Sequence, residues 1–127
     1  MALAPVDKSF EATQRLEDGV RIIEGRGELD LSSVGRIERL VGPTVDQGRG
    51  LILDLTACPF IDSSGIRFVL ETHRALTGNG RVPNPMVVVA SREVERMLVL
   101  TAIDQTVPVL ASLKEAKALF SLGTRAV

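Results

Sequence analysis

LILDLTACPFIDSSGIRFVLETHRAL, residues 51–76, changes its hydrophobic period once, between Phe60 and Ile66, and that change decides the fold. Leu51, Ile52, Leu53 and Leu55 form an apolar run broken only by Asp54, with Gly50 before it and Pro59 after it. So short a run between breakers suits a strand covered on both faces. From there on, Ile66, Val69, Leu70, His73 and Leu76 recur at three- and four-residue intervals, the stripe of an amphipathic helix. At the junction, Asp62-Ser63-Ser64-Gly65 offers short side-chain oxygens to the first unpaired N–H groups of that helix. Those N–H groups and the helix dipole also favour an anion. A hydroxyl in this tetrapeptide is therefore expected to be exposed, where a phosphate can be added without unfolding the chain.

Upstream, Phe10 to Leu16 and Val20 to Glu24 read as two strands joined across Glu17-Asp18-Gly19, a hairpin turn built from residues that tolerate unusual backbone angles. A helix follows, with Asp30, Ser32 or Ser33 as its cap and Val34, Ile37, Leu40 and Val41 as its stripe. Pro43 lacks the N–H that would bond to residue 39, so this helix is expected to end or kink near Val41. Downstream, Thr77-Gly78-Asn79-Gly80 stops the second helix and Pro83-Asn84-Pro85 extends the loop. Met86 to Ala90 reads as a second buried strand. Ser91 caps a helix with Val94, Met97, Leu98 and Thr101 inward. Val107 to Leu110 is a short strand whose Pro108 suits a sheet edge, and Ser112 caps a last helix through about Phe120 with Leu113, Ala116, Leu119 and Phe120 inward. Strands separated by helices pair in parallel and need helical cover. The expectation is an α/β fold: one domain over residues 10–122, a mixed, mostly parallel sheet of about five strands with four helices. Residues 1–9 are expected as a flexible arm and 123–127 as a tail.

Composition narrows the function. Fifteen basic and sixteen acidic residues leave a formal charge of −1, so no positive field draws the chain to nucleic acid or an anionic membrane. With no Trp, no Tyr and four Phe it lacks an evident platform for stacking bases. A single Cys and a single His cannot build an internal disulfide or a structural zinc site, so no metal and no cofactor are expected. Cys58 reads as a small buried apolar group. Neither a signal peptide nor an apolar run of the roughly 20 residues a membrane helix needs is visible, which points to the cytoplasm. An enzyme is not expected. A serine hydrolase acting through Ser63 or Ser64 would need a base, and the one histidine, His73, lies about three turns along on the inner stripe.

The combination of the strand, FIDSSG at Phe60–Gly65 and the apolar helix, with GELDLSS at Gly27–Ser33 and VVVASREVERMLVLTAID at Val87–Asp104, resembles the STAS domain. Specifically it resembles the bacterial anti-sigma factor antagonists, from about Phe10 to Phe120. The resemblance implies that Ser63 is a regulatory phosphorylation site, shaped by Asp62, Ser64 and Gly65; by capping preference Ser64 is expected as a helix cap and not as a second phosphate site. It implies a partner kinase, itself the anti-sigma factor, with an ATP-binding fold like that of histidine kinases, and a serine phosphatase that resets the switch. Residues expected to meet the partner are Glu28 and Asp30 of the GELD loop, and Arg67, Phe68 and Glu71 of the following helix. Arg67 and Glu71 stand where the family often has glycine, so they either contact a particular partner or obstruct the usual one. Phe68 falls off the inner stripe, as an exposed docking residue or one partly buried under a neighbouring loop. The protein itself is expected to be a monomer or weak dimer. STAS domains also serve as subunits of lipid transporters and stress-signalling assemblies, a role that need not use the serine.

Overall fold

The computed structural model describes residues 10–46, 50–78 and 86–125. The expected arm at 1–9 and the Pro83-Asn84-Pro85 loop lie outside the described residues. Five strands and four helices follow one another as expected: β1 (Glu11–Glu17), β2 (Val20–Arg26), α1 (Val34–Asp46), β3 (Leu51–Leu55), α2 (Ser63–Thr77), β4 (Met86–Ala90), α3 (Arg92–Leu100), β5 (Val109–Leu110) and α4 (Leu113–Arg125). The strands lie in the order β1-β2-β3-β4-β5. Only the β1–β2 hairpin is antiparallel; β2–β3, β3–β4 and β4–β5 are parallel. The hairpin turns through Asp18 (φ 54°) and Gly19 (φ 78°), both left-handed as a two-residue turn between twisted strands requires.

Because β3 and β4 lie inside the sheet, every one of their residues is buried. Alternate side chains serve two cores. Ile23, Leu51, Leu53, Leu55, Met86 and Val88 face α1, α2 and α3. Ile22, Ile52, Val87 and Val89 face Ala116 and Phe120 of α4. Three helices thus cover one face of the sheet and one covers the other. The single helix is tied down at its edge by an ion pair from Lys117 to Glu17 on β1. Hydrogen bonds from Lys117 and then Arg15 hold the Glu17 carboxyl down to about 2.

Five expectations need correction. α1 continues through Pro43 to Asp46 instead of ending near Val41. Its apolar stripe goes on to Thr44, 2% exposed, and half-buried Val45. Pro43 and Arg39, the residue whose carbonyl the proline leaves without its helical N–H, are both exposed, and buried packing outweighs the proline's cost. In α2 the buried arc is Gly65, Phe68, Val69, Thr72, His73 and Leu76, while Ile66 and Leu70 are only half-buried. Phe68 is 3% exposed and sits in the main core, neither a free docking residue nor a partly covered one. The cause is α1, which packs beside α2 and rotates the buried arc away from a stripe that faces the sheet alone. Thr101 is exposed at the end of α3, its hydroxyl donating to the Met97 carbonyl at 2.8 Å. A short 3-10 turn, Ile103–Gln105, then intervenes, and β5 keeps only Val109 and Leu110. Pro108 contributes a carbonyl, which accepts from Val88 N at 2.9 Å. Finally, α4 runs to Arg125, past the end expected near Phe120.

His73 is 8% exposed, and burial lowers its pKa from 6.5. The unfolded chain therefore takes up a proton near that pH which the folded chain resists. His73 supports the fold in full above about pH 6.5 and progressively less as the pH falls below it. Urea midpoints should drop from about pH 7.5 to about 5.5, and more steeply in wild type than in His73→Leu. Equal slopes in the two proteins would dismiss the imidazole as the cause.

Candidate functional site

The site forms where the GELD segment, leaving β2, runs beside the chain leaving β3. Gly27 N donates to Ala57 O at 3.1 Å, Leu29 N to Phe60 O at 2.9 Å and Asp62 N to Leu29 O at 3.1 Å. The parallel pairing of the two strands is thereby taken up again at one isolated bridge, Leu29 with Ile61. Leu29 (0% exposed) and Ile61 (2%) anchor that bridge in the core. Gly65, in the first turn of α2, packs directly on it. A Cβ there would stand 2.5 Å from Ile61 Cγ1 and 2.9 Å from Leu29 O, so only glycine lets the helix approach this closely.

Asp62 is the N-cap of α2. Its Oδ1 accepts from Ser64 N at 2.8 Å and Gly65 N at 3.2 Å. Its Oδ2 accepts from Leu31 N at 3.3 Å. One carboxylate thus closes the helix and holds the GELD turn against it. Ser64, expected as a cap, instead gives its backbone N–H to the cap. Asp30 organises the turn itself: its Oδ1 accepts from Ser32 N at 3.0 Å and Ser32 Oγ at 2.7 Å. The Ser32 hydroxyl above all, with further bonds from Ser33, holds the Asp30 carboxyl below its ordinary range. Buried Ser33 accepts from Asp30 N at 2.9 Å and donates to Glu28 O at 2.7 Å, locking the turn that leads into α1.

Ser63 is exposed as the first residue of α2. With the amides of Ser64 and Gly65 already bonded to Asp62, an anion on Ser63 would meet the helix dipole but not those two amides. Arg67, one turn further along and exposed, occupies the i+4 position where a cation reaches a charge at 63. Glu28, Asp30 and Asp62 are all half-buried within this junction. Glu71 is not: it lies farther along α2, on a cleft against α1.

Two residues that the sequence reading did not single out flank the site. Leu31 is 78% exposed and Phe60 49% exposed, and each is held by the contacts that build the junction. The sequence signal for them was an apolar residue standing in a turn-forming stretch, off any helical or strand period. Behind the site, Cys58 is buried; its thiol donates to Phe60 O at 3.1 Å, and burial raises its pKa. Ser91 joins this layer by donating to Cys58 O at 2.7 Å while capping α3 through Val94 N. No imidazole is within reach of Ser63, since His73 lies ten residues along α2, about 15 Å. Among the described residues no group of three or more His, Cys, Asp or Glu is placed to hold a metal, and none of their helices is long and apolar enough to cross a membrane.

Comparison with known proteins gives the same architecture. A sequence profile of the STAS domain matches residues 11–116. The chain is 27% identical over 109 residues to the anti-sigma-F factor antagonist RsfB of Mycobacterium tuberculosis, covering 85% of this chain and 87% of that one. An anti-sigma factor antagonist from Mycobacterium paratuberculosis superposes with a TM-score of 0.77 at 24% identity, over 91% of this chain and 97% of that one. The Bacillus cell fate determinant SpoIIAA, solved in its phosphorylated form, superposes with a TM-score of 0.61 at 21% identity, over 87% and 97%.

Asp62→Ala removes three accepted hydrogen bonds at once and should lower stability to urea by about 1–2 kcal/mol, whereas Asp62→Asn, itself a good N-cap, should lose less than half of that. Unchanged stability in Asp62→Ala would show that the carboxylate does not hold the two segments together.

Proposed function

We propose, from the premise that the chain belongs to the STAS domain family, that it is an anti-sigma factor antagonist switched by phosphorylation of Ser63. In this reading the unphosphorylated protein captures an anti-sigma serine kinase and so frees a sigma factor. Phosphate on Ser63 releases the kinase, and a serine phosphatase restores the capturing form. The observation that carries the proposal is the exposed Ser63 on the first turn of α2, next to Asp62, whose carboxylate also holds Leu31 of the GELD turn. The antagonist relative RsfB and the phosphorylated SpoIIAA structure support it.

The physics of the switch is local. Leu31 and Phe60 offer apolar anchors of the kind that dominate binding when buried at the centre of an interface. A phosphoserine brings about −1.5 to −2 charges into that patch. Desolvating it against a partner costs more than the anchors return, and Asp62 and Asp30 add charge of the same sign. The fold tolerates the group, because the helix dipole and Arg67 offset part of its charge without any backbone movement. Release of the partner needs little: about 1.4 kcal/mol is tenfold in affinity.

Isothermal titration against the anti-sigma kinases of its own organism should show Ser63→Asp binding at least about tenfold more weakly than wild type, with Ser63→Ala binding like wild type and refusing phosphate. Leu31→Ala and Phe60→Ala should each weaken capture by about fivefold or more. Wild-type affinity in Ser63→Asp would remove Ser63 as the switch, and wild-type affinity in both alanine variants would move the interface elsewhere.

A further inference from the structure

Away from Ser63, α1 and α2 pack side by side and leave an open cleft of about 230 Å³ between them. Its floor is apolar: Val41 and Phe68 are buried and Val45 half-buried. Glu38, Gly42 and Asp46 form one i, i+4, i+8 row along the α1 side. Side chains on such a row normally build a continuous ridge. Here the middle position is glycine, and a Cβ built on it meets nothing within 4 Å, so the ridge has a notch one side chain wide. An acidic residue stands on either side of the notch, about 12 Å apart along the helix axis. Glu71 supplies a third carboxylate from α2, and among the described residues no basic side chain lines the cleft. Thr72 is buried in the wall.

We infer that this cleft docks a basic amphipathic helix of a protein partner, with one apolar side chain seated in the Gly42 notch and Lys or Arg residues about two turns apart on Glu38 and Asp46. The volume falls below the roughly 300–1,000 Å³ typical of small-molecule sites and suits one or two anchoring side chains. The acidic rim repels nucleic acid and anionic lipid, and helix-in-groove docking uses this spacing of anchors. The inference is independent of phosphorylation at Ser63, because the cleft lies on the far part of α2 and needs no change there.

The chain has no Trp and no Tyr, so a peptide carrying one Trp reports its own binding without background. The probe is a helical peptide with Lys seven residues apart flanking Leu, and its control is the same peptide with Glu in place of Lys. The Lys peptide should bind saturably with a blue shift, more weakly as salt rises, and the Glu peptide should not bind. Gly42→Lys fills the notch with a charge like the peptide's own at a half-buried helical position, and Glu71→Lys reverses one charge of the rim. Each should weaken the Lys peptide at least about tenfold while keeping a wild-type circular dichroism spectrum. Gly42→Ala should stay within about twofold, and Ser63→Asp should bind as wild type does. Equal binding of the Lys and Glu peptides, wild-type affinity in folded Gly42→Lys, or loss of binding in Ser63→Asp would each overturn the assignment.

Discussion

One carboxylate, that of Asp62, is what makes the two ends of the site a single object. Its two oxygens take N–H groups from α2 and from the GELD turn, segments that are thirty-one residues apart at Leu31. Each of those N–H groups belongs to backbone that has no regular partner: the opening of a helix in one case, a turn in the other. A shorter or apolar side chain at 62 would leave both to water and let the turn drift from the helix. The position of Ser63 therefore follows from a backbone need of the fold itself.

Behind that carboxylate lies an unequal division of the sheet. Three helices bury one face and a single helix the other, and α2, the helix that carries Ser63, shares its face with α1. This sharing sets the buried arc of α2, drawing Phe68 and Thr72 inward, and it leaves between the two helices the cleft with the acidic rim. The rigidity of the platform comes from Leu29 and Ile61, which extend the β2–β3 pairing past the strands so that the exposed residues stand on core packing. Gly65 lets the helix close onto that extension.

Much of this was legible in the sequence, for identifiable reasons. The change of period between Phe60 and Ile66 placed β3 and α2, since an all-apolar run and a three-to-four spacing belong to different elements. Asp62 was readable as a cap because an Asp ahead of an apolar stripe commonly is one. Its bond to Leu31 was not, because nothing local announces a contact thirty-one residues away. Phe68 was misplaced for the same reason: a stripe seen from one helix cannot show a second neighbour. Pro43 was given its intrinsic weight, and the burial of Thr44 and Val45 outweighed it. Leu31 and Phe60 escaped notice because periodicity finds what is buried and says little about apolar side chains left in turns.

The two margins of the sheet carry a further consequence, for how the chain behaves at high concentration. A margin of unpaired backbone groups is a template on which another sheet can grow. At β5 the template is two residues long and begins beside Pro108, which has no N–H to donate. At β1 it is seven residues long, but Glu11, Arg15 and Glu17 punctuate it, and ion pairs tie Arg15 and Glu17 to groups of the same chain. Charge guards the long margin and brevity the short one. Strand-by-strand aggregation therefore finds little to build on at either margin.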